Sequence, residues 1–280
     1  EISEDTIWRA DRSYVLDDMT YVVDGATLRI ERGTEIRGTA GSALVVTADA
    51  RIQAQGTRDA PIAFTSAKPA GERQPGDWGG VVVLGTAPTN KSTAHIEGIP
   101  QDDQRGDFGG QQPRQSCGAL RYVRIEFAGF ELARDSELNA LTLGGCGSDT
   151  VVRYVQTHMG MDDGVEVFGG TVDLDHIVST RSGDDALDWQ LGWTGRAQFI
   201  VLQQDVNGND GIEADNLEGA HNVQPRSTPT LSNLTLIGPS HRTGDQRALR
   251  LRRGTGGDLR NLIISRFPRG VLDIEDAATV

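Results

Sequence analysis

Three short stretches of this chain carry carboxylates in nearly the same pattern. "GMDDGVEVFGG" (160–170) holds Asp162, Asp163 and Glu166, "SGDDALDWQLG" (182–192) holds Asp184, Asp185 and Asp188, and "GNDGIEADNLEG" (208–219) holds Asp210 and Glu213. Together these eight are candidate metal ligands, because Ca²⁺ takes six to eight oxygens. Two acids can also serve as general acid and base on a glycosidic bond. Beside a basic group they can hold a cation that neutralises a uronate while the base removes a proton. If the chain is an enzyme, the candidate acid–base set is Asp185, Asp188, Arg247 and Arg250. Like charges ~4 Å apart repel by about 1 kcal/mol in water and several-fold more near a protein surface. Shared protons, a cation or positive side chains must therefore answer them.

The elements that position these residues are legible as repeats. A pattern small–apolar–X–apolar recurs as "ALTL" (140–143), "GVEV" (164–167), "ALDW" (186–189), "GIEA" (211–214), "ALRL" (248–251) and "GVLD" (270–273). Its third position runs Thr142, Glu166, Asp188, Glu213, Arg250, Leu272. β-Branched, alternating stretches precede the copies: "LRYVRIEF", "VVRYVQTH", "LDHIVST", "QFIVLQ", "LSNLTLIG" and "LRNLIIS". Residues 26–66 keep a related rhythm, and no convincing helical period is present. Short strands repeating every ~22 residues between Gly, Asn and Asp predict an all-β, single-domain right-handed parallel β-helix over 1–280. Ordered loop insertions are expected at about 86–117 and about 215–228, the first as a wall of the acidic edge.

In a β-helix, equivalent residues stack at ~4.8 Å. Leu141, Val165, Leu187, Ile212, Leu249 and Val271 then form an inward stack, with Trp189 on the same parity. Glu166, Asp188 and Glu213 form an outward column, either a solvated face or an ionic site. Asp163, Asp185 and Asp210 sit at a bend, where aspartates commonly accept backbone N–H groups. Arg247 falls opposite Asp210, Arg250 opposite Glu213, and Arg269 continues the bend column. Trp193, in a glycine-flanked turn, is a candidate for stacking on a sugar. Cys117 and Cys146 precede similar strand patterns, so a disulfide is expected, with two buried thiols as the alternative.

Composition narrows the partners. A net charge of −13 argues against nucleic-acid backbones and anionic membrane surfaces. No apolar run approaches the ~20 residues of a membrane span. The five histidines lack metal spacing, and HExxH, GxSxG and P-loop patterns are absent, so no nucleotide or organic cofactor is expected. Ca²⁺ is the cofactor the acids would admit. A start at Glu1 fits a mature or trimmed product.

Six motifs in order, "GDWGGVVVLGTAPTN", "AHIEGI", "LRYVRIEFAG", "LNALTLGGCGSDTVVRYVQ", "DDGVEVFGGTV" and "DDALDWQLGWTGRAQF", extend this reading. The chain resembles a family of secreted or lipid-anchored bacterial parallel β-helix proteins, most of them without assigned function, over roughly residues 7–275. The resemblance implies the fold and a secreted or outer-surface location, and it carries no settled catalytic residues. The chain departs from the family pattern at "VEVF", where Asp-Glu-Phe-type residues are expected, and in "RALRLRRG" (247–254). Three functions follow as expectations. The first is an exported structural, adhesion or matrix-binding module, calcium-stabilised, with polysaccharide or other surface components as partners. The second is a polysaccharide-active enzyme, lyase-like or hydrolase-like. The third is a self-assembling extracellular protein, homo-assembling through the coil that ends "DIEDAATV".

Overall fold

The repeats fold as their spacing requires. The computed structural model describes residues 1–133, 136–239 and 244–279, and His241 lies outside them. Among the described residues there is no α-helix, only a 3₁₀ turn at Gln104–Gly106. Two long sheets of parallel strands wind into a β-helix. The nine-stranded sheet runs in space from Met19–Val22 through Ala43–Val46, Val81–Leu84, Leu141–Gly144, Val165–Phe168, Leu187–Gln190, Ile212–Ala214 and Arg247–Leu251 to Gly270–Ile274. The twelve-stranded sheet includes Gly118–Glu126, Val151–His158, Asp173–Thr180, Arg196–Gln203, Thr230–Ile237 and Asp258–Ser265, each paired with the next.

Each of these six strands turns a corner at one residue. Tyr122, Tyr154, His176, Phe199, Asn233 and Asn261 all have positive φ, between 48° and 60°. Left-handed backbone costs a non-glycine residue roughly 1–2 kcal/mol. It is held here because the residues before and after each corner stay in the parallel ladder, Arg121↔Arg153 and Val123↔Val155 for example. One residue thus re-aims the strand without a loop.

The inward stack is as expected across five rungs: Leu141, Val165, Leu187, Ile212 and Leu249 pair in sequence and are buried. The last rung differs. Leu249 pairs with Leu272, not Val271, and Asp273 rather than Leu272 faces Arg250. Gly270 rather than Arg269 faces Arg247. The motif "GVLD" imitates the repeat one residue too early, and a slip of one residue exchanges the faces of a strand. The true register sets the Asp273 carboxylate 2.7 Å from Arg247 Nε, while Val271 and Leu272 are both exposed.

Apolar residues pack in two bodies. The interior core holds the inward stack with Trp78, Trp189 and Trp193. A second cluster lies on the outer face of the nine-stranded sheet, where Val45, Val82 and Phe168 meet Ile96, Ile99 and Phe108. The last three belong to the 86–117 stretch, which packs on that face. It is tied to the second insertion by Asn90, whose Nδ2 donates to Asn216 Oδ1 at 2.7 Å. Cys117 and Cys146 form the expected disulfide, with Cα atoms 5.9 Å apart.

Candidate functional site

The outer face of the nine-stranded sheet carries the acidic column. Its register is Tyr21, Val45, Val82, Thr142, Glu166, Asp188, Glu213, Arg250, Asp273. One face is therefore apolar at one end, acidic in the middle and ion-paired at the other end. Solvation of the acids is not found: Glu166 is 4% exposed, and Asp188 and Glu213 are 8% exposed each. The packed insertion also brings Glu97 close enough to act on Glu166.

The bend column is structural, as its residue types suggest. Asp163 Oδ1 accepts the Asp185 N–H, Asp185 Oδ1 accepts the Asp210 N–H, and Asp210 Oδ1 accepts the Arg247 N–H. Each aspartate thus ties its rung to the next. The register also puts Asn139 one rung before Asp163.

Arginine answers the acids in the C-terminal half. Glu213 lies between Arg250, 3.2 Å away, and Arg252. Asp215 accepts from Arg252 on both oxygens, at 2.8 and 3.2 Å, and from Arg253 on Oδ2 at 2.8 Å. Arg247 reaches Asp210 at 4.0 Å. Burial nonetheless pushes Glu213 up to about 7, with Arg252 and Arg250 opposing and Asp215 adding to the rise. Burial likewise raises Asp210, against the Arg247 amide and guanidinium.

The N-terminal half is answered differently. Glu166 accepts from Asn139 Nδ2 at 2.6 Å and from Gln190 Nε2 at 3.0 Å. Asp163, Glu166 and Asp188 each offer an oxygen within 4.8 Å of the others, and all three are buried. Burial pushes all three carboxyls well above their usual range. Asp162 and Asp185 add to this at Asp163, Asp188 and Glu97 at Glu166, and Glu213 and Asp215 at Asp188. Asp188 Oδ1 and Asn139 Oδ1 are buried without a hydrogen-bond partner. A second group, Asp162, Asp163 and Asp184, shares Asp163 and opens toward solvent at Asp184.

The candidate acid–base set is not presented to an external substrate. Asp185 is 2% exposed, and burial, with Asp184 and Glu213, raises its carboxyl. Asp188 is buried too, Arg247 pairs with Asp273, and Arg250 bridges Glu213 and Glu275. Trp193 is no sugar platform. It is fully buried, its ring centroid 5.7 Å from that of Trp189, and its Nε1 donates to the Val172 carbonyl at 2.9 Å. The glycine-flanked turn that suggested exposure folds the indole inward.

A groove of about 630 Å³ on the twelve-stranded sheet was not anticipated. It follows the corner across successive rungs. One wall is the stack Tyr122, Tyr154, His176 and Phe199, with successive ring centroids 4.5, 4.5 and 4.8 Å apart. The other wall holds Arg124, Gln156, Val178, Val201 and Thr235. Arg58 and Pro61 line it as well. Phe199 and Val178 are 46% and 37% exposed. No carboxylate lines this groove, although the chain is strongly acidic. The signal was present in the aligned triplets "RYV", "RYV", "DHI", "QFI". Their middle residues share a register position that alternation alone does not mark as special.

Fold and site together define a parallel β-helix with one insertion-covered acidic face and one open aromatic groove. The chain belongs to the pectate-lyase-like β-helix domain family, which it matches over residues 1–280. A comparison with curated proteins yields no match. Among solved structures, the chain is similar to the enzymatically active domain of bacteriophage CBA120 tailspike protein 2, at 11% identity and a TM-score of 0.30. That similarity covers 95% of this chain, which spans 42% of the length of that structure. Among the described residues, no helix is long and apolar enough to cross a membrane.

Proposed function

We propose that this chain is an exported module that binds polysaccharide through the corner groove, without turning it over at the acidic face. The observation that carries the reading is the aromatic-walled groove itself. It is concave and largely apolar, with a few polar groups, among them Arg124, Gln156, Asn233 and Thr235, in its lining. Ligand sites commonly have that make-up, and a glycan offers matching apolar ring faces and hydroxyls. The groove repeats at the rung spacing, so a linear chain lying along it would meet similar contacts at each step. Membership of a pectate-lyase-like family supports the substrate class by fold analogy. The disulfide supports an oxidising, extracytoplasmic compartment. The burial and ion pairing of Asp185, Asp188, Arg247 and Arg250 favour binding over catalysis.

Affinity electrophoresis through gels containing polygalacturonate, xylan or a neutral glucan tests this. Retardation in at least one gel is expected, and Phe199→Ser with Tyr154→Ser should weaken it at least tenfold while circular dichroism stays native. Unretarded wild type in every gel, or a native double variant retarded as strongly as wild type, would overturn the reading. Unsaturated product appearing by ultraviolet absorbance would replace it with a lyase.

A further inference from the structure

We propose that Asp163, Glu166, Asp188 and Asn139 form a structural site for a hard divalent cation, best matched by Ca²⁺, beneath the 86–117 insertion. This site is independent of the glycan reading and lies on the other sheet.

Two observations carry it. The first is the donor set. Three carboxylates from two adjacent rungs place an oxygen each within 4.8 Å of the others, and all are buried. Oxygens at such separations can share one ion, since Ca²⁺–oxygen distances are ~2.3–2.6 Å. The second is a pair of orphaned oxygens. Asn139 is 1% exposed, and its amide nitrogen donates to Glu166 Oε2 at 2.6 Å and to Thr142 Oγ1 at 3.2 Å, so the nitrogen end of the side chain is aimed into the cluster. Its Oδ1 has no partner, and neither does Asp188 Oδ1. Buried polar atoms are nearly always paired, so each orphan calls for a ligand. If the amide turns end for end, its oxygen faces Glu166. That arrangement repels unless a cation stands between the two oxygens.

The contrast within the column points the same way. Glu213 and Asp215 have Arg250, Arg252 and Arg253. Among the described residues, Glu166 has two amide donors, Asn139 and Gln190. A positive charge is written into one half of the face, and the other half is shaped to take one from solution. Asp163 Oδ1 already accepts a backbone N–H, which leaves its second oxygen for the ion. The ion would clamp two rungs and the Asn139 bend together. Its role is stability rather than turnover.

The test uses the whole chain. After dialysis against EDTA the melting temperature should fall by several degrees, and added Ca²⁺ should restore it where equal ionic strength of Na⁺ does not. Tb³⁺ should emit when tryptophan is excited, because Trp189 is the neighbour of Asp188 in the chain. Glu166→Gln with Asp188→Asn should abolish both responses. If that pair fails to fold, Asn139→Ala replaces it and should weaken Ca²⁺ binding at least tenfold. A wild-type melting temperature identical in EDTA and Ca²⁺, with no Tb³⁺ emission, means that shared protons neutralise the cluster and overturns the proposal. Folded variants that respond like wild type overturn it as well.

Discussion

Raising the pH of the metal-free protein through the weakly acidic range should destabilise it, although most proteins are near their stability maximum there. The perturbation acts on carboxyls whose pKa is raised by folding. Glu213 is the one with a usable magnitude: its ordinary 4.5 becomes about 7, because burial outweighs Arg252 and Arg250. The unfolded chain releases this proton near 4.5 and the folded chain keeps it to about 7. Between those values the folded state binds more protons, so its stability falls as pH rises. The contribution is whole below 4.5 and gone above 7. At about 1.4 kcal/mol per pH unit the loss from Glu213 alone is about 3 kcal/mol. For 280 residues that corresponds to about 6 °C in melting temperature.

Asp163, Glu166, Asp185 and Asp188 are raised in the same direction and steepen the fall. Opposite contributions come from carboxyls held low. Burial opposes the lowering at both Asp77 and Asp205, but Lys68 and Ser66 keep the first below 3.8, and the Asn207 amide and Arg181 keep the second there. Their stability is lost as pH falls, in a window below the one in question. Urea unfolding followed by circular dichroism, in EDTA between pH 4.5 and 7.5, is the assay. Glu213→Gln should flatten the curve by about 3 kcal/mol. Stability that is level or rises from pH 5 to 7 in EDTA, or an unchanged slope in the variant, would refute the reasoning.

Two further outcomes are expected. Trp193→Ala should cost about 3–5 kcal/mol by urea midpoint, whereas Trp193→Phe should leave any polysaccharide retardation unchanged, because the indole is buried and does not line the corner groove. Reducing the Cys117–Cys146 bridge, which closes 29 residues, should cost about 3–4 kcal/mol by the loop-entropy relation, measured as a shift in urea midpoint with and without dithiothreitol.

Legibility from sequence followed the physics of stacking. The rungs from Leu141 to Leu249 were readable because each inward position demands an aliphatic residue against the one before it. The last rung is misleading because "GVLD" satisfies the same pattern one residue early, and the parallel ladder, with Leu249 opposite Leu272 and Arg250 opposite Asp273, shows the true register. The burial of Glu166, Asp188 and Glu213 was not readable, since it depends on an insertion whose docking no period encodes. Trp193 was misplaced for a related reason: a glycine-flanked turn permits either direction for the indole, and the core had room for it. Asn139 was findable. It stands three residues before Thr142 as Asp163 stands before Glu166, but an uncharged amide carries no sign in the sequence that it faces a carboxylate.

The outer column also explains why a repeat protein can carry a site at all. Every rung offers the same backbone position, so what differs is only the side chain and what covers it. Where the insertion docks directly, the column is Val45 and Val82, and burial is favourable outright. Where the column turns acidic, burial costs several kcal/mol per unpaired charge. At Glu213 that cost is met inside the chain by two arginines of the same turn, Arg250 and Arg252. Among the described residues, Glu166 has the amide donors Asn139 and Gln190 and Asp188 has the Trp189 backbone N–H, too few to satisfy two ionised carboxylates, and Asp188 Oδ1 is left without a partner. Those two rungs are therefore where the face depends on its surroundings: a proton, or the cation proposed above, has to answer the charge. An Arg250→Met variant would extend that dependence by one rung, and in EDTA at pH 7.5 it should be less stable than wild type by several kcal/mol. The gap should narrow at pH 5, as Glu213 takes up its proton; a gap independent of pH would mean that the arginine contributes packing and not charge.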